Sequence, residues 1–169
     1  DATVDISGLM GQVEDRARPR IDLGEWTADR YSGEPPLRDW LIKDVLPAAA
    51  PAMVASMGGA GKSMMMLDAA LKIAVYEDGM LNSLTCLGGK IMRGGTAVVF
   101  CAEDDAAEVH RRLNALDPEG RRFANPSRLR IVPLPDVGGA MPLVSMVNGQ
   151  PLITKEFTDL RDQLLEIED

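Results

Sequence analysis

A glycine-rich segment carries the residues of this sequence with the most specific chemistry. Residues 51–63 read PAMVASMGGAGKS, which is a short apolar run, a glycine-rich turn and then Gly-Lys-Ser. Glycines let the backbone curl until its N–H groups converge, and a helix that starts there adds its positive end. Lys62 supplies a charge for β- and γ-phosphates, and Ser63 supplies a hydroxyl ligand for Mg²⁺. The segment therefore predicts a phosphate-binding loop.

One position departs from the usual pattern of such loops. Ser56 stands where G-x-x-x-x-G-K-[ST] has its first glycine, which serine can replace unless the backbone there needs a positive φ. The competing interpretation is a strand-to-helix turn that binds nothing, but an apolar strand at 52–55 followed by a helix favours the binding loop. The residues expected to contact the nucleotide are Gly58, Gly59, Ala60, Gly61, Lys62, Ser63 and Met64.

Hydrolysis of a nucleotide bound at this loop would also need a group that orients and deprotonates water. Glu103 is the candidate for this group. The run TAVVFCA at 96–102 predicts a buried parallel strand, and ligands of open parallel sheets lie at the carboxyl ends of strands. Glu103 follows at once, within reach of one water if its strand neighbours the loop strand. In a first alternative, Glu103 is only one of the acidic residues that stabilise the N-terminus of the next helix. In a second alternative, residues 98–104 form a Walker B strand, whose acid holds Mg²⁺. In such a strand Asp normally comes before Glu, whereas here Glu103 comes first.

The elements that position these residues follow from periodicity and caps. Residues 62–76 are apolar on nearly every face, which predicts a buried helix with Gly79 as its cap. A short helix is predicted at 37–46, a strand at 128–132 and a hairpin around Asn148-Gly149. Residues 81–95 are predicted as loops with a short strand at 90–92. A helix is predicted at about 106–116, capped by Asp104 or Asp105. On its exposed face Glu108 is expected to pair with Arg111 or Arg112. Another helix is predicted at 155–168, capped by Thr154.

Composition bounds the class of protein. The chain has 169 residues, 46% of them hydrophobic and 26% charged, enough for one globular α/β domain after an N-terminal arm. The arm, 1–36, either docks on a neighbour through Leu9, Ile21 or Trp26 or begins with a disordered leader at 1–30. Two isolated cysteines and one histidine suit a reducing cytoplasm without zinc, and no apolar run approaches a membrane span. A net charge of −8 restricts any DNA contact to a local surface.

Three stretches together resemble a known family. GGAGKS with its Met- and Ala-rich helix, GTAVVFCAEDD with EVHRRLNAL, and PLRDWLIKDVLP are similar to RecA-like, AAA-family ATPases of the plasmid and prophage RepA replicative-helicase type. The resemblance runs from Trp26 to the C-terminus. It implies a three-layer α/β fold, a RecA-like P-loop NTPase with a mainly parallel sheet, over residues 37–169.

The resemblance also implies roles. Lys62 and Ser63 become the phosphate and Mg²⁺ ligands, and Glu103 the base that activates water. His110 and Arg112 match a family pattern, Arg112 more as a structural arginine than as a catalytic finger. The implied ligands are ATP, Mg²⁺ and single-stranded DNA, and the implied assembly is a homo-oligomeric ring. Asp169 has no apolar strand before it, so we expect the chain to be an N-terminal portion that stops before the Walker B strand.

Two other functions stay open at this stage. A P-loop kinase acting on a small molecule would need an arginine-bearing lid over the phosphates, for which the sequence offers no clear candidate. A non-hydrolysing module would use ATP only to order the arm or a partner surface. The ATPase prediction comes from the residues, whereas the helicase and ring predictions come from the resemblance.

Overall fold

The computed structural model describes residues 22–77 and 84–167. The chain divides into two compact units, Asp1–Leu37 and Arg38–Asp169. The predictions placed on Leu9, Ile21, Gly79 and Asp169 lie outside the described residues. The functional division expected from the sequence, 1–36 and 37–169, stays a prediction.

The described part of the first unit consists of two short 3-10 helices, Leu23–Glu25 and Ala28–Tyr31. The Asp22 carboxylate accepts a hydrogen bond of 2.9 Å from the N–H of Gly24 and so caps the first of them. The Arg30 guanidinium lies over the Trp26 ring, 4.5 Å from its centroid. Trp26 therefore has a local partner within its own unit, although its side chain stays exposed.

The described residues of the second unit form eight short strands and three α-helices. The strands are β1 (Trp40–Ile42), β2 (Leu46–Pro47), β3 (Thr85–Cys86), β4 (Gly89–Lys90), β5 (Ala97–Cys101), β6 (Leu129–Pro133), β7 (Val144–Val147) and β8 (Gln150–Ile153). The helices are α1 (Lys62–Val75), α2 (Ala106–Leu116) and α3 (Lys155–Leu165). In the described ranges, no helix has the length and apolar character needed to cross a membrane.

The parallel pair β5–β6 is the sheet that matters for function. Its register runs from Ala97 opposite Leu129 to Cys101 opposite Pro133, and α2 connects the two strands. Both strands are apolar and rich in β-branched residues, as expected of a parallel sheet covered by helices. The strands predicted at 96–102 and 128–132 are thus confirmed within one residue at each end. The other three pairs of described strands are antiparallel.

Helix α1 runs antiparallel to β5 and β6. The N–H of Gly95, just before β5, donates to the carbonyl of Ile73 at 3.3 Å. Nη1 of Arg128, just before β6, donates to the carbonyl of Tyr76 at 3.2 Å. Both contacts tie the C-terminal end of α1 to the amino ends of the strands, and α1 also contacts β5 and β6 themselves. The N-terminus of α1 is therefore directed towards the carboxyl ends of the strands.

The predicted helix at 37–46 is wrong, because this stretch forms the hairpin β1–β2. Ile42 pairs with Ile91 across an isolated bridge that joins this hairpin to β3–β4. The two hairpins pack against α1 through a buried cluster of Ile42, Ala69, Cys86 and Ile91. Burial of apolar side chains against α1 outweighs the helical spacing of the local sequence.

Two backbone features make that hairpin packing possible. Asp44 turns between β1 and β2 with φ +60°, a left-handed conformation that Asp adopts more readily than most residues. Gly89 lies so close to the first hairpin that a Cβ would come within 2.4 Å of the Lys43 carbonyl oxygen. A side chain at this position would push the two hairpins apart. The short strand predicted at 90–92 overlaps β4 and the bridge at Ile91, whereas β3 lies in a stretch that was predicted as loop.

Helix α2 begins and ends at aspartates. Asp105 is its N-cap, and its carboxylate accepts the N–H of Glu108 at 2.7 Å, which confirms one of the two predicted caps. Asp117 ends the helix and is only 1% exposed. Its carboxylate accepts the N–H groups of Arg121 and Arg122, each at 3.0 Å, and the Arg122 guanidinium at 3.1 Å. This buried anion fixes the turn that leads from α2 to β6.

The C-terminal hairpin lies where the sequence predicts it and is exposed, and the helix after it starts where predicted and ends before 168. β7 and β8 meet at Asn148-Gly149, where both residues have positive φ, as the Asn-Gly signal predicts. Every residue of the two strands is exposed. Thr154 caps α3 by accepting the N–H of Phe157 at 3.2 Å, and α3 ends at Leu165.

The two cysteines are free and buried, in separate places. Burial raises the pKa of Cys86, and the neighbouring Asp68 carboxylate raises it further. Burial likewise raises the pKa of Cys101 at the end of β5, with the Asp104 carboxylate adding to the effect and Arg112 opposing it. Both side chains are therefore thiols rather than thiolates at neutral pH.

We expect Asp117→Ala to lower the free energy of unfolding by about 3 kcal/mol, because it leaves the buried Arg122 guanidinium without a carboxylate to balance its charge. Burial alone would raise the pKa of Asp117, but the backbone N–H groups of Arg122 and Arg121 and the Arg122 side chain outweigh it and hold the pKa below its ordinary value. The stabilisation is complete above the ordinary Asp pKa and is lost as the pH falls through the lowered one.

Urea unfolding at neutral pH and at successively lower pH measures both effects. Asp117→Asn should remove this part of the acid dependence, whereas Glu119→Gln, a change at a neighbouring exposed carboxylate, should alter neither quantity by more than about 0.5 kcal/mol. An Asp117→Ala protein as stable as the parent would contradict the assignment.

Candidate active site

The glycine-rich segment forms an exposed loop that runs directly into α1. Residues 51–57 contain no strand, so the predicted strand at 52–55 is wrong in this structure. A strand requires ladder hydrogen bonds to a neighbour, and these residues make none to the described part of the chain. Met53 and Met57 are consequently exposed. The loop and the helix after it, the other two parts of the predicted motif, are both present.

Two glycines give the loop its shape. Gly61, the N-cap of α1, has φ +83°, and Gly59 has φ +76°. These left-handed conformations are ones that other residues adopt only at a cost, which accounts for glycine in the spacing G-A-G. Ser56 is not among the described non-glycine residues with positive φ. The exchange of glycine for serine at this position is therefore compatible with the backbone.

Lys62 ties the two ends of the loop together. Its ammonium group donates to the carbonyl of Ser56 at 3.1 Å and to the carbonyl of Met57 at 3.0 Å. A lysine ammonium has three N–H donors, so these two contacts leave one for a ligand. The charge at the centre of the loop is thus held in place by the loop itself.

The start of α1 has unpartnered donors. The first intrahelical bond runs from the N–H of Met65 to the carbonyl of Gly61 at 3.0 Å. The N–H groups of Lys62, Ser63 and Met64 make no hydrogen bond within the described residues, and no side chain caps the helix. The first turn also lacks an acidic residue. Free amides and the positive end of the helix dipole make this place suitable for an anion such as a phosphate.

Ser63 meets the requirement for a Mg²⁺ ligand beside bound phosphates. The side chain is exposed, and its hydroxyl makes no hydrogen bond to the described residues. Mg²⁺ usually takes one or two protein oxygens together with substrate phosphates and water. A single hydroxyl at the helix start fits that pattern.

Glu103 lies towards the same edge of the sheet as the loop. It comes two residues after β5 ends at Cys101, so it belongs to the carboxyl edge. Helix α1 has 14 residues and spans about 21 Å, which carries its N-terminus from the amino ends of the strands towards that edge. The loop and Glu103 thus lie on the side of the sheet where α/β folds bind ligands.

Four carboxylates from the described part of the chain occupy this edge, and three of them have partners. Asp105 caps α2, as described above. Asp104 pairs with Arg112, whose Nη1 lies 2.5 Å from its carboxylate. Asp136, in the turn after β6, accepts the N–H of Ala106 at 2.7 Å. Glu103 is exposed and makes no hydrogen bond or ion pair within the described residues. The interpretation of the acids as a helix start therefore holds for Asp105 and does not account for Glu103.

Sequence reasoning missed two of these contacts. Asp136 reaches α2 from 30 positions further along the chain, and the only local signal was an acid shortly after a predicted strand. The predicted pairing of Glu108 with Arg111 or Arg112 is confirmed, and Glu108 pairs with both, at 2.8 Å and 2.9 Å. The second contact of Arg112, to Asp104, was not predicted. The hydrogen bonds from Arg111 and Arg112 lower the pKa of Glu108, which keeps that carboxylate ionised. His110 lies on the exposed side of α2, 3.5 Å from Asn114.

A comparison with known families identifies this arrangement. The family profile described as AAA domain matches residues 17–169, which is most of the chain. The chain belongs to the AAA domain family. No curated protein matches it in a direct sequence search. As an AAA domain it has the RecA-like P-loop α/β fold of nucleotide-binding ATPases, which confirms the predicted fold class.

We expect the glycines of this AAA domain to differ sharply in their tolerance of alanine. Gly61→Ala forces a Cβ into a left-handed conformation and should lower the free energy of unfolding by about 1 kcal/mol, measured by urea denaturation. Gly58→Ala is the matched control, since Gly58 has no positive φ and a Cβ there meets no atom within 4 Å. Equal effects of the two substitutions would contradict the loop geometry.

Proposed function

We propose that this chain binds ATP with Mg²⁺ at the loop 58–64 and hydrolyses it, with Glu103 activating the attacking water. The observation that carries the proposal is that Glu103 is the one unpaired carboxylate of the four at the edge towards which the phosphate loop points. An unpaired carboxylate at the same edge of the sheet as a phosphate site is a candidate for the general base.

The loop supplies binding and charge stabilisation. The free N–H groups at the start of α1 and the remaining donor of Lys62 would hold the β- and γ-phosphates. Ser63 would provide the protein ligand of Mg²⁺, which when bound neutralises charge on the phosphates. The sequence prediction extends the set of nucleotide contacts to all residues from Gly58 to Met64, and we propose the same set here.

The proposed reaction is an in-line displacement at the γ-phosphorus. Glu103 accepts a proton from water as the water oxygen forms a bond to phosphorus, and the bond between phosphorus and the bridging oxygen of ADP breaks. ADP leaves with the electron pair of that bond, and inorganic phosphate carries the new oxygen. Lys62 stabilises the charge that develops on the phosphate oxygens.

The biological role of ATP hydrolysis is inferred from the resemblance to the RepA replicative-helicase type. We propose that hydrolysis powers a DNA-processing motor of the RepA replicative-helicase type, working as a homo-oligomeric ring on single-stranded DNA in the cytoplasm. The free, buried thiols suit a reducing compartment. A small-molecule kinase and a non-hydrolysing nucleotide-dependent module are the competing functions, and the experiments below separate them.

We expect Glu103→Gln in the full-length protein to keep ATP affinity within about twofold and to reduce turnover at least about 100-fold. Glutamine preserves the shape of the side chain but cannot accept the proton. Binding of a fluorescent ATP analogue and steady-state phosphate release measure the two quantities. Unchanged turnover would remove Glu103 from the mechanism.

Two variants serve as controls for that experiment. Lys62→Ala removes the charge at the phosphate site and should weaken nucleotide binding itself, the opposite pattern to Glu103→Gln. Glu119→Gln changes an exposed carboxylate away from this edge and should leave both affinity and turnover unchanged. If the parent protein binds ATP and never releases phosphate, the non-hydrolysing module is the correct function.

We expect single-stranded DNA to stimulate ATP hydrolysis by the full-length protein about tenfold or more, since a motor couples turnover to its track. Phosphate release with and without an oligonucleotide measures this, and Glu103→Gln should abolish the stimulated rate as well as the basal one. No stimulation, together with phosphoryl transfer to a metabolite, would exclude the motor and favour the kinase.

A further inference from the structure

We infer that Arg112 is a positioning residue for Glu103 and acts through Asp104. This inference rests on the proposed function, because it assumes that Glu103 activates water. Among the ion pairs of the described residues at the carboxyl edge, it assigns a purpose to the one that neither caps a helix nor connects two residues of the same helix.

Arg112 holds two carboxylates at once. Nε of its guanidinium donates to Oε1 of Glu108 at 2.9 Å, and Nη1 donates to Oδ2 of Asp104 at 2.5 Å. The side chains of Arg112 and Asp104 are 23% and 14% exposed, so water screens their contact only in part. The planar guanidinium presents its donors in a fixed fork, which restricts the orientation of the Asp104 carboxylate as well as its distance.

The anchored Asp104 shortens the free part of the chain around Glu103. On one side Cys101 is buried and paired with Pro133 in the parallel sheet. On the other side Asp104 is held by Arg112, and Asp105 is held by the N–H of Glu108. Only Ala102 and Glu103 lie between these fixed points. Glu103 has no side-chain contact of its own in the described residues, so its position depends on this short backbone bridge.

A general base needs that control. Misplacing a catalytic group by about 1 Å can cost about 100-fold in rate, and residues that lock the backbone are the usual means of preventing it. Loss of the Arg112–Asp104 pair would extend the free stretch from two residues to three, 102–104, because Asp105 stays held by the N–H of Glu108. The phosphate loop, which belongs to another element, would be unaffected. The effect should therefore fall on kcat and not on nucleotide binding.

The chain contains a matched control in the adjacent arginine. Arg111 also pairs with Glu108, at 2.8 Å, but its side chain is 67% exposed and makes no contact with Asp104. Arg111→Ala removes the same charge from the same helix and the same carboxylate. A difference between the two alanine variants thus isolates the contact with Asp104.

The test measures ATP turnover and nucleotide affinity in variants of the full-length protein. We expect Arg112→Ala and Asp104→Asn each to lower kcat about tenfold or more with ATP affinity within about twofold of the parent. The double variant should lose no more than either single one, because both remove one interaction. Arg112→Lys should recover part of the rate, since an ammonium can still reach Asp104. Arg111→Ala should leave kcat within about twofold.

Coupling to Glu103 decides between positioning and a direct role of Arg112. In a Glu103→Gln background, Arg112→Ala should cause no further loss. Additive losses there, or an Asp104→Asn protein with the parent kcat, would overturn the inference.

If Glu103→Gln itself leaves turnover intact, the proposed function fails. If Glu103→Gln abolishes turnover and Arg112→Ala does not change kcat, only the positioning role fails. Thermal unfolding of each variant verifies that it is folded.

Discussion

The attachment of the C-terminal end of α1 to the amino ends of β5 and β6 is the constraint on which the second unit depends. Two hydrogen bonds, from Gly95 to the Ile73 carbonyl and from Arg128 to the Tyr76 carbonyl, fix the direction of the helix. If α1 ran the other way, its first turn would lie at the opposite edge of the sheet, about 16 Å away by the length of a five-residue strand. The loop and Glu103 could then not share a ligand.

The position of α1 between two sets of strands explains why so much of its surface is apolar. One set of its side chains packs with the hairpins β1–β2 and β3–β4, where Ala69 joins Ile42, Cys86 and Ile91. The helix also contacts β5 and β6. A helix covered by two sets of strands has little surface left for polar residues. The predicted burial of this helix holds for its leucines and alanines at 67, 69, 70, 71 and 74, whereas Met66 is exposed. Gly89 allows the second hairpin to approach the first closely.

The sequence predicted best where the signal is local. The helix starts at Asp105 and Thr154, the turn at Asn148-Gly149 and the loop glycines all depend on residues within a few positions of each other, and each lies where the pattern indicates. The AAA domain profile supports the fold class that these signals suggest. Roles of individual site residues remain proposals, argued from the free donors at the start of α1 and the unpaired Glu103.

The predictions fail where distant parts of the chain decide. Residues 37–46 have helical spacing but become a hairpin because Ile42 bridges to Ile91, and the apolar run before the loop has no neighbouring strand to pair with in the described residues. The contact of Asp136 with Ala106 spans 30 positions, and no periodicity reports it. Tertiary contacts of this kind override local preference, and a single sequence contains no direct record of them.

The separate locations of the two thiols give the molecule a pair of natural reporters. Cys86 lies in the cluster between the hairpins and α1, whereas Cys101 ends the parallel strand that leads to Glu103. Burial shields both sulfur atoms from an alkylating reagent, and it also raises the pKa of both thiols, which keeps them protonated. Either cysteine is therefore labelled only when the surrounding packing opens. The relative labelling rates of the two cysteines thus record which region loosens first, without any engineered probe.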